Sequence, residues 1–177
     1  MFDLDHFIED CRATVTRNGT HKAAVEVLEK ALDDRSAVTD VLAREGKAGI
    51  FPLYRSEDLT ILNILWKPGM TVPPHNHDMW AAIGIYTGRE DNIFWRRIAD
   101  DAEGRIEAAG AKSLAQGQVA PLGKDIVHSV TNPLGRLTGG IHVYGGDFFD
   151  AHKSAWEPED LTEQPYDPDK IRAMFKC

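Results

Sequence analysis

GMTVPPHNHDMWAAIGIYTG, residues 69–88, decides how the rest of the chain is read. At its centre His75 and His77 stand one residue apart, directly behind Pro73 and Pro74. Proline fixes its own φ and restricts the residue before it, so the approach to the pair is stiff and extended. On a strand, residues i and i+2 face the same side, about 6–7 Å apart along the chain. Two imidazoles so placed can converge on one ion. The same spacing also suits a polar edge strand whose histidines meet water. The run WAAIGIY, residues 80–86, reads as a strand, followed by a turn at TGRED.

Working outward, the first fifty residues read as helices. Phe2, Leu4, Phe7, Ile8, Cys11 and Val15 recur close to a 3.6-residue period, and Asn18–Gly19 breaks the pattern. Thr20 is a cap candidate for HKAAVEVLEKAL, whose stripe is Ala24, Val27, Leu28, Ala31 and Leu32 and which ends at Asp33–Asp34. Ser36 is a cap candidate for AVTDVLARE, stopped by Gly46. From Ile50 onward the segments turn short, β-branched and aromatic. Strands are expected at 59–66, 80–86, 92–98, 111–114, 117–122, 126–131 and 137–144, which suggests a sandwich or barrel. The expected organisation is one domain, 1–177: a helical prefix (1–48) packed on a β-barrel (50–150), then a tail (151–177) with a short helix at DPDKIRAMF.

Composition narrows the function classes. A formal net charge of −8, with Lys and Arg scattered apart from pairs such as Arg96–Arg97, argues against a nucleic-acid-binding face. No apolar run approaches the roughly 20 residues that span a bilayer. The acids in MFDLDHFIEDC depart from a positively charged secretory leader. The expected partners therefore include neither nucleic acid nor membrane, and the expected location is cytoplasmic. The two cysteines, Cys11 and Cys177, form no CxxC pair and suit a reducing compartment. Cys11 reads as a helix-face filler without an activating partner. The helices and exposed sheet edges are candidate interfaces for a homodimer.

A second stretch, GQVAPLGKDIVHSVTN, residues 117–132, changes the weight of the histidine pair. Together the two stretches resemble the signature motifs of the cupin family. Gly69, His75, His77 and Gly88 fall at the places of the first motif, and Gly117, His128 and Asn132 at those of the second. Gly123 and Asp125 stand where a proline and a glycine are usual. The resemblance covers roughly residues 50–146. It implies a mainly β fold, a cupin double-stranded β-helix (jelly-roll barrel) with an N-terminal helical segment, and a divalent metal on His75, His77 and His128. The glutamate that usually adds a fourth ligand falls at Ala81, with no acid at 79–82. Three neutral imidazoles leave a metal's charge uncompensated and attract an anionic ligand such as a thiolate or hydroxide. Zinc on this donor set favours hydrolysis, and Fe(II) favours oxygen chemistry.

Three-histidine cupins with such a helical prefix are similar to the cysteine dioxygenase family and its bacterial relatives. Those enzymes hold Fe(II) and convert a small organic thiol to its sulfinate with O2. The family's Ser-x-His-x-Tyr string resembles GIHVYGG, residues 140–146: His142 and Tyr144 match, and Gly140 replaces the serine. At i and i+2 both can face the interior, with Tyr144 offering its hydroxyl to oxygen or substrate and His142 holding it. The cysteine that cross-links to the tyrosine in cysteine dioxygenase falls at Ala81, so no cross-link forms. This resembles the bacterial branch that accepts other thiols, including mercapto-carboxylic acids. The family's carboxylate-binding arginine corresponds in region to Arg55, whose planar fork suits a carboxylate. The bland alternative is a surface pair with Glu57 or Asp58, and Arg96 and Arg97 are rival anion binders. Two other functions compete for these residues: another metal-dependent reaction, isomerisation or hydrolysis, and a non-enzymatic small-molecule binding module.

Overall fold

The computed structural model describes residues 1–17 and 20–176, so the expected break at Asn18–Gly19 and the terminal Cys177 lie outside the described residues. Three helices lead: α1 (Leu4–Arg17), α2 (His21–Leu32) and α3 (Arg35–Leu42). The strands are β1 (Gly49–Arg55), β2 (Thr60–Trp66), β3 (Thr71–His75), β4 (Ala81–Thr87), β5 (Arg89–Arg97), β6 (Ile106–Ala115), β7 (Val119–Leu122), β8 (Val127–Thr131), β9 (Thr138–Tyr144), β10 (Ser154–Trp156) and β11 (Glu163–Pro165). The helix α4 (Pro168–Met174) follows, at the place expected for it. None of the described helices is long and apolar enough to cross a membrane.

The strands form two antiparallel sheets, in the orders β1-β2-β9-β4-β7 and β11-β10-β3-β8-β5-β6. Hydrogen bonding thus divides them into two facing layers rather than running round one closed barrel. The strand β9 pairs with both β2 and β4, which brings residues 138–144 to the middle of the first sheet.

Alternation along the first sheet explains why β2 and β9 are buried from end to end. Leu62, Ile64 and Trp66 of β2, with Ile83 and Ile85 of β4, point between the sheets, where they meet Met70, Val72, Leu114 and Val130. Ile61 and Leu65, with Ala82, Tyr86, Ile141 and Val143, point the other way into Phe7, Cys11, Leu28, Leu32, Val38 and Leu42 of the helices. Gly84 lets α2 sit close on β4, since a Cβ there would lie 3.0 Å from Leu32 and 3.3 Å from Leu28. Cys11 fills this interface fully buried, and burial pushes its thiol up to about 12.

Several expectations need correction. The third helix is capped by Asp34, whose carboxylate accepts from the Ala37 amide at 3.1 Å, rather than by Ser36. Thr20 precedes α2 as expected but makes no side-chain cap bond. The strand β5 opens at Arg89, inside the stretch read as a turn, because Gly88 takes φ +80° and turns the chain within one residue. The tail, read as a helix with no strands, adds β10 and β11 beside β3.

Candidate metal centre

The histidine pair does not lie on one regular strand. His75 is the last residue of β3, and His77 sits in the loop beyond it. The loop is pinned by Asn76, whose amide donates to the Ser154 carbonyl at 3.1 Å and whose side-chain oxygen accepts from the Ser154 amide at 2.8 Å. Asp78 then turns the chain at φ 55°, with its carboxylate 3.3 Å from Lys124. The two rings still converge, with centroids 5.1 Å apart. His128 arrives from β8, whose residue pairs directly with His75, and its ring lies 4.8 Å from His75 and 5.0 Å from His77. One donor nitrogen from each of the three lies within 4.8 Å of the others, and all three side chains are buried. The expected ligands are thus brought together.

Their hydrogen bonds fix which nitrogen is free. His75 Nδ1 lies 2.9 Å from the Pro73 carbonyl, which can only accept, so Nδ1 carries the proton and Nε2 keeps its lone pair. His128 Nδ1 lies 2.6 Å from Asn92 Oδ1. The Asn92 amide is oriented in turn, because its Nδ2 donates to Glu90 Oε1 at 3.0 Å. His128 therefore presents a bare Nε2, 3.3 Å from His77 Nε2. Nitrogens bound side by side to one ion at about 2.1 Å stand roughly 3.0–3.4 Å apart. Burial, the largest cause, holds all three imidazoles below their ordinary pKa, His75 at about 4 and the other two well below, so they are neutral donors. Among the described residues no carboxylate joins the donor cluster. These residues suit a divalent ion with part of its coordination sphere left to other ligands.

Behind the imidazoles runs a polar chain that motif reading missed. Glu90, fully buried on β5, accepts from Asn92 and, through Oε2, from Trp66 Nε1 at 3.0 Å. The same Oε2 lies 3.5 Å from His142 Nε2, a buried atom without a hydrogen bond. His142 Nδ1 is 3.3 Å from the Tyr144 hydroxyl. His128, Asn92, Glu90, His142 and Tyr144 thus form one series. A Cβ on Gly140 would stand 3.2 Å from His142 Nε2, so the missing side chain leaves open the side on which Glu90 faces the ring. Alternation was the available signal: Glu90, Asn92 and Phe94 share one face of β5, but two polar residues out of three gave no hydrophobic pattern.

Tyr144 faces the imidazoles, its ring 5.0 Å from His77 and 4.5 Å from Phe148. Burial raises its hydroxyl well above the ordinary phenol range, so it remains a proton donor. Arg55 stands apart. Its guanidinium grips Asp147 with Nε and Nη2 both at 2.8 Å, and it is half exposed. Asp147 begins the loop that carries Phe148, whose amide donates to Thr60 Oγ1 at 3.0 Å. Arg96 and Arg97 pair with Glu107 and Glu163. Asn132 of the second motif ties a turn: its Nδ2 donates to the carbonyls of Lys67 at 2.9 Å and Arg136 at 2.8 Å. Asn63 serves the helices, donating to the orphan Leu42 carbonyl at the end of α3 at 2.8 Å.

No family model matches the sequence. Among solved structures, a Bacillus halodurans protein aligns with TM-score 0.51 and 13% identity over 62% of this chain and 77% of its own. An RmlC-like cupin with a double-stranded β-helix fold from Methanocaldococcus jannaschii aligns at 0.48 and 12%, over 59% of this chain and 84% of its own. Bacillus subtilis oxalate decarboxylase, described with Mn(II) centres, aligns at 0.41 and 20%, over 52% of this chain and 22% of its own. The chain folds as two facing antiparallel sheets, a fold it shares with the Bacillus halodurans protein, and it carries a three-histidine cluster capable of holding a divalent ion.

Proposed function

We propose that this chain is a mononuclear Fe(II) thiol dioxygenase that converts a small organic thiol to its sulfinate. The observation that carries the reading is the donor set: three buried, neutral imidazoles converge without a carboxylate, with Tyr144 and His142 on the adjoining wall. The overall change, R–S⁻ + O2 → R–SO2⁻, places both oxygen atoms on sulfur. Sulfur loses four electrons and O2 gains four, so no external reductant is required. When bound, Fe(II) supplies the one-electron chemistry that lets O2 react with a closed-shell thiolate.

The chain's own residues hold, orient and exclude. His75 and His128 each keep Nε2 bare, through the Pro73 carbonyl and through Asn92 anchored on Glu90. The neutral Tyr144 hydroxyl is a hydrogen-bond donor for an oxygen or sulfur atom in the cavity, and His142 positions it. Glu90, facing the far nitrogen of His142, takes the place of the serine that Gly140 lacks and keeps the imidazole in one orientation. Arg55 contributes by holding Asp147, and with it the loop that presents Phe148. Phe148, Trp66 and Ile83, buried in one cluster with Tyr144, keep bulk water from the donors.

The test is anaerobic loading with Fe(II), addition of a small thiol, then O2, with sulfinate and oxygen uptake measured together. The expected result is one sulfinate formed per O2 consumed. Absence of sulfinate across a panel of small thiols sinks the proposal. So does purified protein that carries zinc, manganese or nickel and takes up no oxygen, which favours isomerisation or hydrolysis.

A further inference from the structure

A cavity reaches the donor cluster at His75. Of the three imidazoles His75 keeps the most surface, 7% exposed against 3% for His77 and 1% for His128. It is also the donor that lines a cavity of about 460 Å³. Segments outside both histidine motifs build the rest of the wall: the β10–β11 hairpin, the turn after it, and α4. Ala155 of β10 pairs with His75 itself. Tyr166, between β11 and α4, places its ring 6.0 Å from the His75 ring.

The wall is apolar and its polar groups are engaged. Pro73, Pro165, Ile171 and Met174 present hydrocarbon. Trp156 donates its Nε1–H to the Gly104 carbonyl at 2.9 Å. Burial pushes the Tyr166 hydroxyl up to about 12, so it stays neutral. The charged members are both occupied. Asp167 accepts from the amides of Asp169 and Lys170 at 2.9 and 3.1 Å, and Lys170 pairs with Glu157 at 3.1 Å. Lys153 and Arg172 line a different cavity, and none of the three imidazoles is among its described lining residues. A charged guest beside His75 would lose water and gain no counter-ion, which is costly. An apolar guest gains in proportion to the area it removes from water. Size points the same way. A cavity of roughly 150 Å³ is enough for benzene, so the space here exceeds what a two- or three-carbon thiol fills.

We infer that this cavity receives the apolar body of the thiol, so that the substrate class is a neutral thiol bearing an aryl or similarly bulky hydrocarbon group. This rests on the thiol-dioxygenase reading for the sulfur end and goes beyond it for the other end. Specificity then resides in the tail of the chain, where Ala155 and Met174 set the room available.

The experiment separates the two ideas. Cobalt(II)-loaded protein is titrated without oxygen with ethanethiol, with phenylethanethiol and with the para-carboxy derivative of the latter. The thiolate-to-cobalt absorption band reads sulfur on the ion. Sulfinate formation from the same thiols is measured separately on Fe(II)-loaded protein. Wild type is expected to bind the phenyl compound at least about tenfold more tightly than ethanethiol, and about tenfold more tightly than the carboxy derivative. Ala155→Leu on β10 and Met174→Trp on α4 each add atoms to the wall. Each is expected to bring the phenyl-to-ethyl ratio within about threefold. Cobalt content, measured in every variant, shows that the donors still assemble. A wild-type ratio near one overturns the inference, as does a ratio retained in a filled variant that loads cobalt, or a carboxy derivative that binds as tightly as the phenyl compound. A cavity-dependent preference without sulfinate retains the apolar site and removes the dioxygenase. Sulfinate without any preference for the phenyl group does the reverse.

Discussion

Along β9, Ile141 and Val143 point outward into the helices, while His142 and Tyr144 point inward toward the imidazoles. The outer face of that sheet and its inner end are equally closed to water. Outside, the contacts are mostly apolar and sum by area. Inside, imidazoles, an amide, a carboxylate and a phenol hold one another in fixed orientation, and each costs free energy wherever a partner is missing. Burial therefore does not mark the functional face. What marks it is a set of buried polar groups that satisfy one another up to a point and then stop. They stop at the bare Nε2 atoms.

The sharpest way to break the comparison is one substitution from each face. His128→Ala is expected to weaken metal binding by at least about a hundredfold and to end turnover, while the fold survives. Metal analysis after dialysis, beside a melting curve, checks this. Leu28→Ala on the helix face is expected to cost about 2–5 kcal/mol of stability and to leave metal content unchanged. Denaturant titration with the metal assay reads both quantities. Stoichiometric metal retention in the histidine variant would contradict the assigned donor set. Metal loss in folded Leu28→Ala protein would show that the two faces are not separable.

Glu90→Gln probes the polar chain itself. An amide has one accepting oxygen and one donating nitrogen, so it cannot accept from both Asn92 and Trp66 as the carboxylate does. The His128 tautomer then loses its anchor, and His142 loses the charge facing its far nitrogen. Metal affinity or turnover is expected to fall about ten- to a hundredfold, with the fold retained. Competition with a chelator and steady-state rates distinguish the two losses. A variant equal to wild type in both would reduce Glu90 to packing.

Acidification gives the smallest effect per step. In metal-free protein His75 stays neutral down to about 4, whereas in the unfolded chain it protonates near the ordinary 6.5. Between those values the unfolded chain binds more protons, so stability rises with pH and is lost on acidification. His75 alone contributes a slope of about 1.4 kcal/mol per pH unit across that window. His77 and His128, shifted the same way by burial, steepen it. Melting temperatures between pH 7 and 4 should fall accordingly, and His75→Asn should flatten the curve. A pH-independent melting curve would mean that the imidazoles are hydrated.

Much of this molecule was legible residue by residue. The helical prefix, the central strands and α4 follow from periodicity and turn residues. The three donors follow from two short motifs, because ligation needs one residue type at short spacings and spacing survives in a linear string. The inward pair His142 and Tyr144 follows from the two-residue period of a strand. Glu90 and Asn92 did not emerge as site residues, since Glu90 fell in the stretch read as a turn and Asn92, at the start of the expected strand 92–98, carries no hydrophobic signature. The cover formed by β10 and β11 did not emerge either, because three-residue strands owe their existence to the edge of β3 rather than to their own propensity.

The sequence by itself determined that three imidazoles would gather and that no acid of the first motif would join them. Tertiary structure alone decided the rest. Asp147, ninety-two positions away, claims Arg55, and Glu90 fixes a donor nitrogen from behind through Asn92. The reason is that a donor set depends on the identity of a few side chains. Which charges are paired depends on distances between segments that only the folded chain brings together.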